Sequence, residues 1–156
     1  MMSSELSLVT FKICDELYGI DIMEVSEIIR ILDITPIPNA PSFVDGVVNL
    51  RGEIIPVVDL IKRFKFTRKS FTEEEELLRG IIVVNVEDMT LGIIIDAVNR
   101  VMSVPAEKLQ PPPHMVSGVG AEYIRGVVRL EDSLLVVLDI NKLFSREEIL
   151  MLSGRA

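Results

Sequence analysis

The chain contains the stretch Gly46-Val-Val-Asn-Leu-Arg-Gly-Glu-Ile-Ile-Pro-Val-Val-Asp-Leu-Ile-Lys-Arg-Phe64, which aligns without a gap with Gly126-Val-Val-Arg-Leu-Glu-Asp-Ser-Leu-Leu-Val-Val-Leu-Asp-Ile-Asn-Lys-Leu-Phe144. Upstream of the first stretch, Leu17–Ile22 aligns in the same way with Thr90–Ile95. A period this long that occurs only twice indicates a duplicated small domain rather than a solenoid. Residues that both copies share are therefore expected to be structural, and residues that differ become candidates for function.

Most of the chain has the pattern of short β-strands. Val9, Phe11 and Ile13 alternate with polar residues, which predicts a half-buried strand, and short apolar runs such as Ile81–Val86 predict further strands. About five strands in each copy favour closure into a small barrel, because closure removes unpaired sheet edges. We therefore predict a mainly β protein with two packed five-stranded barrels and short helices. The predicted ranges are 8–72 for the first barrel, 73–79 for a linker, 80–144 for the second barrel and 145–156 for a C-terminal helix and tail. Whether the N-terminal strand pairs within its own half or crosses to the other half stays open.

The composition excludes several classes of function. A net charge of −8 and a sequence pI near 4.7 argue against nucleic acid as a partner, because its binding depends on basic residues that neutralise phosphate. The chain is 49% hydrophobic, but its apolar runs are too short to cross a bilayer, so no direct membrane insertion is expected. The single cysteine, Cys14, has no partner for an internal disulfide, which favours a cytoplasmic location.

The sequence offers little for catalysis or for a cofactor. Asp59 and Asp139 are equivalent in the two copies and could in principle form a two-carboxylate hydrolase site, in which paired acids share a proton. The alternative is that each aspartate caps a short helix, which suits the Leu/Ile-x-Lys-x-Phe context that follows. His114 is the only histidine and has no sequence partners for a metal site. The pattern favours a protein that is not an enzyme and that binds no cofactor and no metal.

Arg51 is the residue at which the two copies differ most in chemistry. Asn49-Leu-Arg-Gly52 aligns with Arg129-Leu-Glu-Asp132, so the fold does not require an arginine at this hairpin tip. One interpretation is a solvated turn residue. The other is an anchor for a carboxylate or a helix end of a partner, for which a planar guanidinium with five donors is well suited. The composition alone leaves both open.

The long frame around this tetrapeptide resembles the CheW family of chemotaxis coupling proteins. The segments that carry the resemblance are Tyr18-Gly-Ile-Asp-Ile22, Val25-Ser-Glu-Ile28, Ile34-Thr-Pro-Ile-Pro-Asn-Ala-Pro-Ser-Phe-Val-Asp-Gly46, Val48-Asn-Leu-Arg-Gly-Glu-Ile-Ile-Pro-Val-Val-Asp59, Gly92-Ile-Ile-Ile-Asp96 and Tyr123-Ile-Arg-Gly126. The resemblance extends over essentially Leu8–Leu152. It implies two SH3-like five-stranded barrels, no catalytic activity, and a role that bridges the cytoplasmic tips of chemoreceptors to the regulatory domain of the histidine kinase CheA.

The resemblance also implies two contact surfaces. A groove between the barrels would receive the helical hairpin of the receptor, and its residues here would be Val25, Ile28, Arg51, Leu91, Gly92 and Val101. The kinase would contact the first barrel at Phe43, Val44 and Gly46. Because both copies keep Gly46, a backbone requirement at the strand start is an equally good explanation for this glycine. Two other functions remain: an adaptor for another kinase or signalling assembly, and the hydrolase that uses Asp59 and Asp139.

Overall fold

The computed structural model describes residues 4–31, 33–64, 70–112 and 121–152; His114 lies outside these ranges. The strands are β1 (Glu5–Ile13), β2 (Glu16–Asp21), β3 (Val25–Arg30), β4 (Val44–Leu50), β5 (Glu53–Asp59), β6 (Gly80–Val86), β7 (Met89–Ile95), β8 (Ala97–Pro105), β9 (Ile124–Arg129) and β10 (Leu134–Leu138). The helices are α1 (Leu60–Arg63), α2 (Glu73–Leu78) and α3 (Arg146–Leu152), and short 3-10 helices span Ile22–Glu24, Ala106–Lys108, Ala121–Tyr123 and Ile140–Lys142.

The two copies exchange their first hairpins. One sheet has the strand order β8-β1-β2-β10-β9 and the other has the order β3-β6-β7-β5-β4. The β1–β2 hairpin therefore pairs with strands of the second copy, and the β6–β7 hairpin pairs with strands of the first. The N-terminal strand thus crosses to the other half. Each sheet contains strands from both 8–72 and 80–144, so these sequence ranges do not correspond to the two sheets.

Each five-stranded sheet closes through the segment that follows one of its outer strands. After β3, Thr35 exchanges two backbone hydrogen bonds of 2.9 Å with Val47 of β4. After β8, Gln110 does the same with Val127 of β9, at 2.9 and 2.8 Å. These bridges join the first and last strands of each sheet and cover its edges. The prediction of a mainly β protein with two five-stranded barrels is confirmed, and so is the helix near the C-terminus.

Side chains that alternate along the strands fill three cores. One barrel encloses Val48, Ile55, Val57, Ile81, Val83 and Ile94, and the other encloses Leu8, Val104, Val128, Leu135 and Val137. The largest cluster combines buried residues of both sheets and of the short helices, including Phe11, Tyr18, Phe64 and Phe144. Burial of this shared cluster holds the barrels together, since each fully buried aliphatic or aromatic side chain stabilises the fold by about 1.5–3 kcal/mol.

Arg63 links the two copies through charge, hydrogen bonds and ring contacts. Its guanidinium donates two hydrogen bonds to the Glu148 carboxylate at 2.6 and 2.8 Å, and its Nε donates to the Leu143 carbonyl at 3.0 Å. The guanidinium carbon also lies 5.0 Å from the ring centroid of Phe43 and 5.2 Å from that of Tyr123. Glu148 accepts the Ser145 N–H at 2.7 Å as part of a capping box at the start of α3, so the same carboxylate fixes both the helix and the arginine.

The Arg63–Glu148 pair is expected to stabilise the fold measurably. Arg63→Met should lower the free energy of unfolding by about 2 kcal/mol, because the bidentate, charge-assisted pair is mostly shielded from solvent and one charge would be left without its partner. A double-mutant cycle with Glu148→Gln, followed by urea denaturation, measures the coupling. Arg146→Met is the control: Arg146 pairs with Glu87 at 2.8 Å but is 73% exposed, so its loss should cost less than about 0.5 kcal/mol. Equal losses of stability in Arg63→Met and Arg146→Met would contradict this assignment.

Gly126, which both copies keep, is required by a close approach of the chain. A Cβ at this position would lie 2.7 Å from Leu109 Cγ and 2.8 Å from the Gln110 carbonyl oxygen, which belongs to the closing bridge. Gly126→Ala is therefore expected to lower the free energy of unfolding by more than about 2 kcal/mol through overpacking. Gly19→Ala is the matched control in the same sheet, because its Cβ would have Leu135 Cδ1 as nearest neighbour at 3.4 Å. Thermal denaturation of both variants checks this prediction. A Gly126→Ala variant as stable as the parent chain would contradict it.

Candidate partner-binding surfaces

Arg51 and β3 form one exposed charged feature. Both terminal nitrogens of the Arg51 guanidinium donate to the Glu27 carboxylate, with Nη1 to Oε1 at 3.1 Å. The Arg51 side chain is 69% exposed and the Glu27 side chain 30%. The hydrogen bond from Arg51 lowers the pKa of Glu27 below its ordinary value, because it favours the charged carboxylate. The arginine is thus held against the strand that also carries Ile28.

Arg51 has the left-handed backbone conformation that its hairpin turn requires, but the turn does not require an arginine. Arg51 has φ +52° and Gly52 has φ +89° in a two-residue turn, between the paired residues Leu50 and Glu53. Asparagine or glycine is favoured at both positions of such a turn, and an arginine there costs about 1 kcal/mol. The Asn49 side chain stabilises the turn by accepting the Gly52 N–H at 2.8 Å. Non-glycine residues also have positive φ at the tips Cys14-Asp15 and Glu87-Asp88, so the conformation is a requirement of the turn and only the choice of arginine needs another explanation.

The predicted receptor contacts divide into exposed and buried residues. Ile28 is 39% exposed on β3 and Val101 is 58% exposed on β8, and Val25 is half-buried. These strands are outer strands of different sheets. Leu91 and Gly92 are buried in β7, where Leu91 is 0% exposed, so no partner can touch them in this structure. The structure binds Arg51 to Glu27, the neighbour of Ile28 on β3, and it places Val101 on the equivalent strand of the other barrel.

The predicted kinase contacts lie beneath the surface. Phe43 is 5% exposed and stacks on Phe144 with 5.7 Å between ring centroids, and Val44 is 9% exposed. Gly46 is buried with φ +154°, and a Cβ there would collide with the Thr35 carbonyl of the closing bridge. This contact supports the backbone interpretation of the glycine.

An apolar cavity of about 450 Å³ lies next to these residues and was missed by sequence reasoning. Three exposed side chains surround it: Ile37 at 44%, Ile54 at 59% and Met151 at 48%. The pair Ile54-Ile55 contained the signal, because consecutive residues of a strand face opposite sides and one isoleucine had to face outward. We call Ile37, Ile54 and Met151 the loop-side patch.

The two aspartates of the hydrolase hypothesis both cap short helices. Asp59 is 1% exposed and accepts the Ile61 N–H at 3.0 Å, and Asp139 accepts the Asn141 N–H at 3.1 Å. Both also follow the same pattern of strand end and helical turn, as the duplication predicts. Within the described residues, no group of three or more histidine, cysteine or acidic side chains is arranged to hold a metal ion. No helix in the described ranges is long and apolar enough to cross a membrane.

The fold and these surfaces define a class: a paired-barrel protein with exposed apolar and charged patches suited to binding other proteins. The comparisons with known proteins agree with this class. Residues 7–148 match the family model for the CheW-like domain. The chain is 51% identical over 150 residues to chemotaxis protein CheW of Treponema pallidum, covering 96% of this chain and 88% of that protein. It is 38% identical over 146 residues to chemotaxis protein CheW of Klebsiella aerogenes, covering 94% and 86%.

A solved structure supports the same assignment. The crystal structure of the scaffolding protein TtCheW from Thermoanaerobacter tengcongensis matches with a TM-score of 0.82 and 32% identity, covering 95% of this chain and 92% of that one. The chain belongs to the CheW family. It is therefore a scaffold or adaptor protein of chemotaxis signalling. The relatives that it matches are named as chemotaxis proteins and not as enzymes.

Arg51 is expected to contribute to binding and little to stability. Arg51→Ala should change the free energy of unfolding by less than about 0.5 kcal/mol, as for ordinary surface residues. Arg51→Asn should be at least as stable as Arg51→Ala, because asparagine tolerates the left-handed conformation. Urea denaturation compares the two variants with the parent chain. A loss above about 2 kcal/mol in both variants would show that the Glu27 pair holds the hairpin in place.

Proposed function

We propose that the chain is a non-catalytic cytoplasmic adaptor that couples the cytoplasmic tips of chemoreceptors to the regulatory domain of the histidine kinase CheA. A coupling protein needs two separate surfaces so that both partners can bind at once. The observation that carries the proposal is that the chain offers two: exposed residues of β3 and β8, and the loop-side patch. We call Val25, Ile28, Arg51 and Val101 the strand surface.

The strand surface is suited to an amphipathic helical tip. Ile28 and Val101 provide exposed apolar area, and the Arg51–Glu27 pair provides charge on the strand that carries Ile28. Such a combination recognises a helix by its apolar side chains and fixes its position by charge. Leu91 and Gly92 contribute from beneath: a Cβ on Gly92 would lie 2.7 Å from Ile81 Cγ2 and would disturb the barrel that carries β3.

The loop-side patch is suited to the kinase. It is apolar and partly concave, and its cavity is lined by Val44, the neighbour of Phe43, and by Met151 of α3. In this proposal the buried residues Phe43, Val44 and Gly46 act by shaping the patch, and Ile37, Ile54 and Met151 make the contact. Apolar anchors in a shaped cavity are typical of the residues that contribute most to the free energy of binding.

The experiment mixes the purified chain with a CheA-type kinase and a soluble chemoreceptor signalling fragment, and measures co-sedimentation and kinase autophosphorylation. Ile54→Asp should weaken binding to the kinase by about tenfold or more and leave receptor binding unchanged. Ile28→Asp should weaken binding to the receptor fragment and leave binding to the kinase unchanged. Leu134→Asp is the matched control, because Leu134 is the equivalent of Ile54 in the second copy and is 37% exposed.

The outcomes separate the proposed function from its alternatives. A ternary complex with altered kinase activity supports coupling. Binding to neither partner would exclude it and would favour an adaptor of another signalling assembly. Binding that Ile54→Asp and Ile28→Asp leave intact would retain coupling and exclude the two surfaces.

A further inference from the structure

A β-bulge in β8 gives the chain a continuous exposed stretch. Val9 of β1 pairs with Val101, and Phe11 pairs with Val98, so Thr10 alone lies opposite both Asn99 and Arg100. Regular alternation would bury every second residue, but all four residues from 98 to 101 are exposed. A bulge of this kind bends the strand locally and can change the direction of a side chain.

Thr10 holds the bulge in place. Its side chain is fully buried, and its hydroxyl donates to the Arg100 carbonyl at 2.6 Å. The same oxygen accepts the Arg100 N–H at 3.1 Å and the Asn99 side-chain amide at 3.0 Å. Three hydrogen bonds to a buried hydroxyl fix the backbone from which the Arg100 side chain extends.

The first copy has the same bulge with different residues. Val25 of β3 pairs with Val84 and Glu27 pairs with Val83, so Ser26 is the additional residue. The registers make Ile28 equivalent to Val101 and Glu27 equivalent to Arg100. Val83 then occupies the place of Thr10. The fold thus accepts a valine where the second copy has a hydroxyl that fixes the arginine.

The charges at these equivalent sites are reversed, and only one pair is formed. In the first copy Glu27 on the strand binds Arg51 on the hairpin tip. In the second copy the strand carries Arg100 and the tip carries Glu131, and neither side chain makes an ion pair or hydrogen bond with any residue that the structure describes. The tips have the same number of residues but differ in conformation: Arg51 and Gly52 both have positive φ, whereas Glu131 and Asp132 do not. In the second tip the Leu130 N–H donates to the Ser133 carbonyl at 2.8 Å.

We propose that Arg100, the neighbour of Val101 on β8, binds a carboxylate of the partner that contacts the strand surface, and that Thr10 is its positioning residue. The inference rests on the proposed function, because it concerns the same receptor-binding surface. Val98 at 45% and Val101 at 58% exposure lie two residues before and one residue after Arg100 on the same strand. Charge and shape together fit an amphipathic helix that carries one aspartate or glutamate beside an apolar stripe. Arg51 is already bound to Glu27, so Arg100 is the better placed of the two for an acidic partner.

The test measures the affinity of the full chain for a soluble chemoreceptor signalling fragment, with isothermal titration calorimetry at low and at moderate salt. Arg100→Glu should raise Kd by about tenfold, and the effect should shrink as the salt concentration rises. Lys108→Glu is the matched control: it makes the same change in charge on the exposed 3-10 helix after β8 and should change Kd by less than about twofold.

A second arm tests the partner's carboxylate and the role of Thr10. Each acidic residue at the fragment's tip is changed to lysine, and one of these changes should restore affinity to Arg100→Glu. Thr10→Val should weaken binding and reduce its salt dependence, and Thr10→Ser, which keeps the hydroxyl, should restore both.

The possible results distinguish the inference from the function on which it rests. No binding by the parent chain would overturn both. Binding that is equally strong in Arg100→Glu and Lys108→Glu would overturn the role of Arg100 and leave the proposed function intact. Equal binding by Thr10→Val and Thr10→Ser would overturn the positioning role of Thr10.

Discussion

The exchange of hairpins between the two copies is the constraint on which the rest of the structure depends. Backbone hydrogen bonds between β1 and β8, and between β2 and β10, exist only when both copies are folded, and the same holds for β6 with β3 and β7 with β5. A half of about 70 residues has a marginal core by itself. Exchange makes each barrel complete the other, so the two barrels form one cooperative unit with a shared core.

The exchange also explains where the strand surface lies. The chain passes from one sheet to the other between β2 and β3, through the 3-10 helix Ile22–Glu24, and again between β7 and β8 at Asp96. The strands β3 and β8 follow these crossings directly and are the outer strands of their sheets. A partner that contacts Ile28 and Val101 would therefore bind the two strands at which the barrels are joined.

The sequence predicted local features well and long-range pairing poorly. The strands, the capping aspartates and the capping box at Ser145 depend on neighbouring residues, and their patterns identify them. The exchange leaves no local trace, because equivalent hairpins of the two copies present similar strands to either partner. The sequence could not show that Leu91 is buried, because a continuous apolar run does not reveal which of its residues face solvent. The Arg51–Glu27 pair joins residues 24 positions apart, so it could be identified only in the folded structure.

Comparison of the two copies within one chain separates the demands of the fold from those of function. Asp59 and Asp139 are shared and do the same structural work at the same place. The strand and the tip each carry a charge in both copies. The first tip, in which Arg51 and Gly52 have positive φ, brings Arg51 onto β3, whereas Glu131, in a tip of the same length without positive φ, has no partner among the described residues. Turn geometry thus decides which charges are neutralised within the chain and which remain for another protein. A fold that needed only stability would have no reason to keep an arginine at position 100, where the side chain has no partner among the residues that the structure describes, since an unpaired surface charge contributes little to stability.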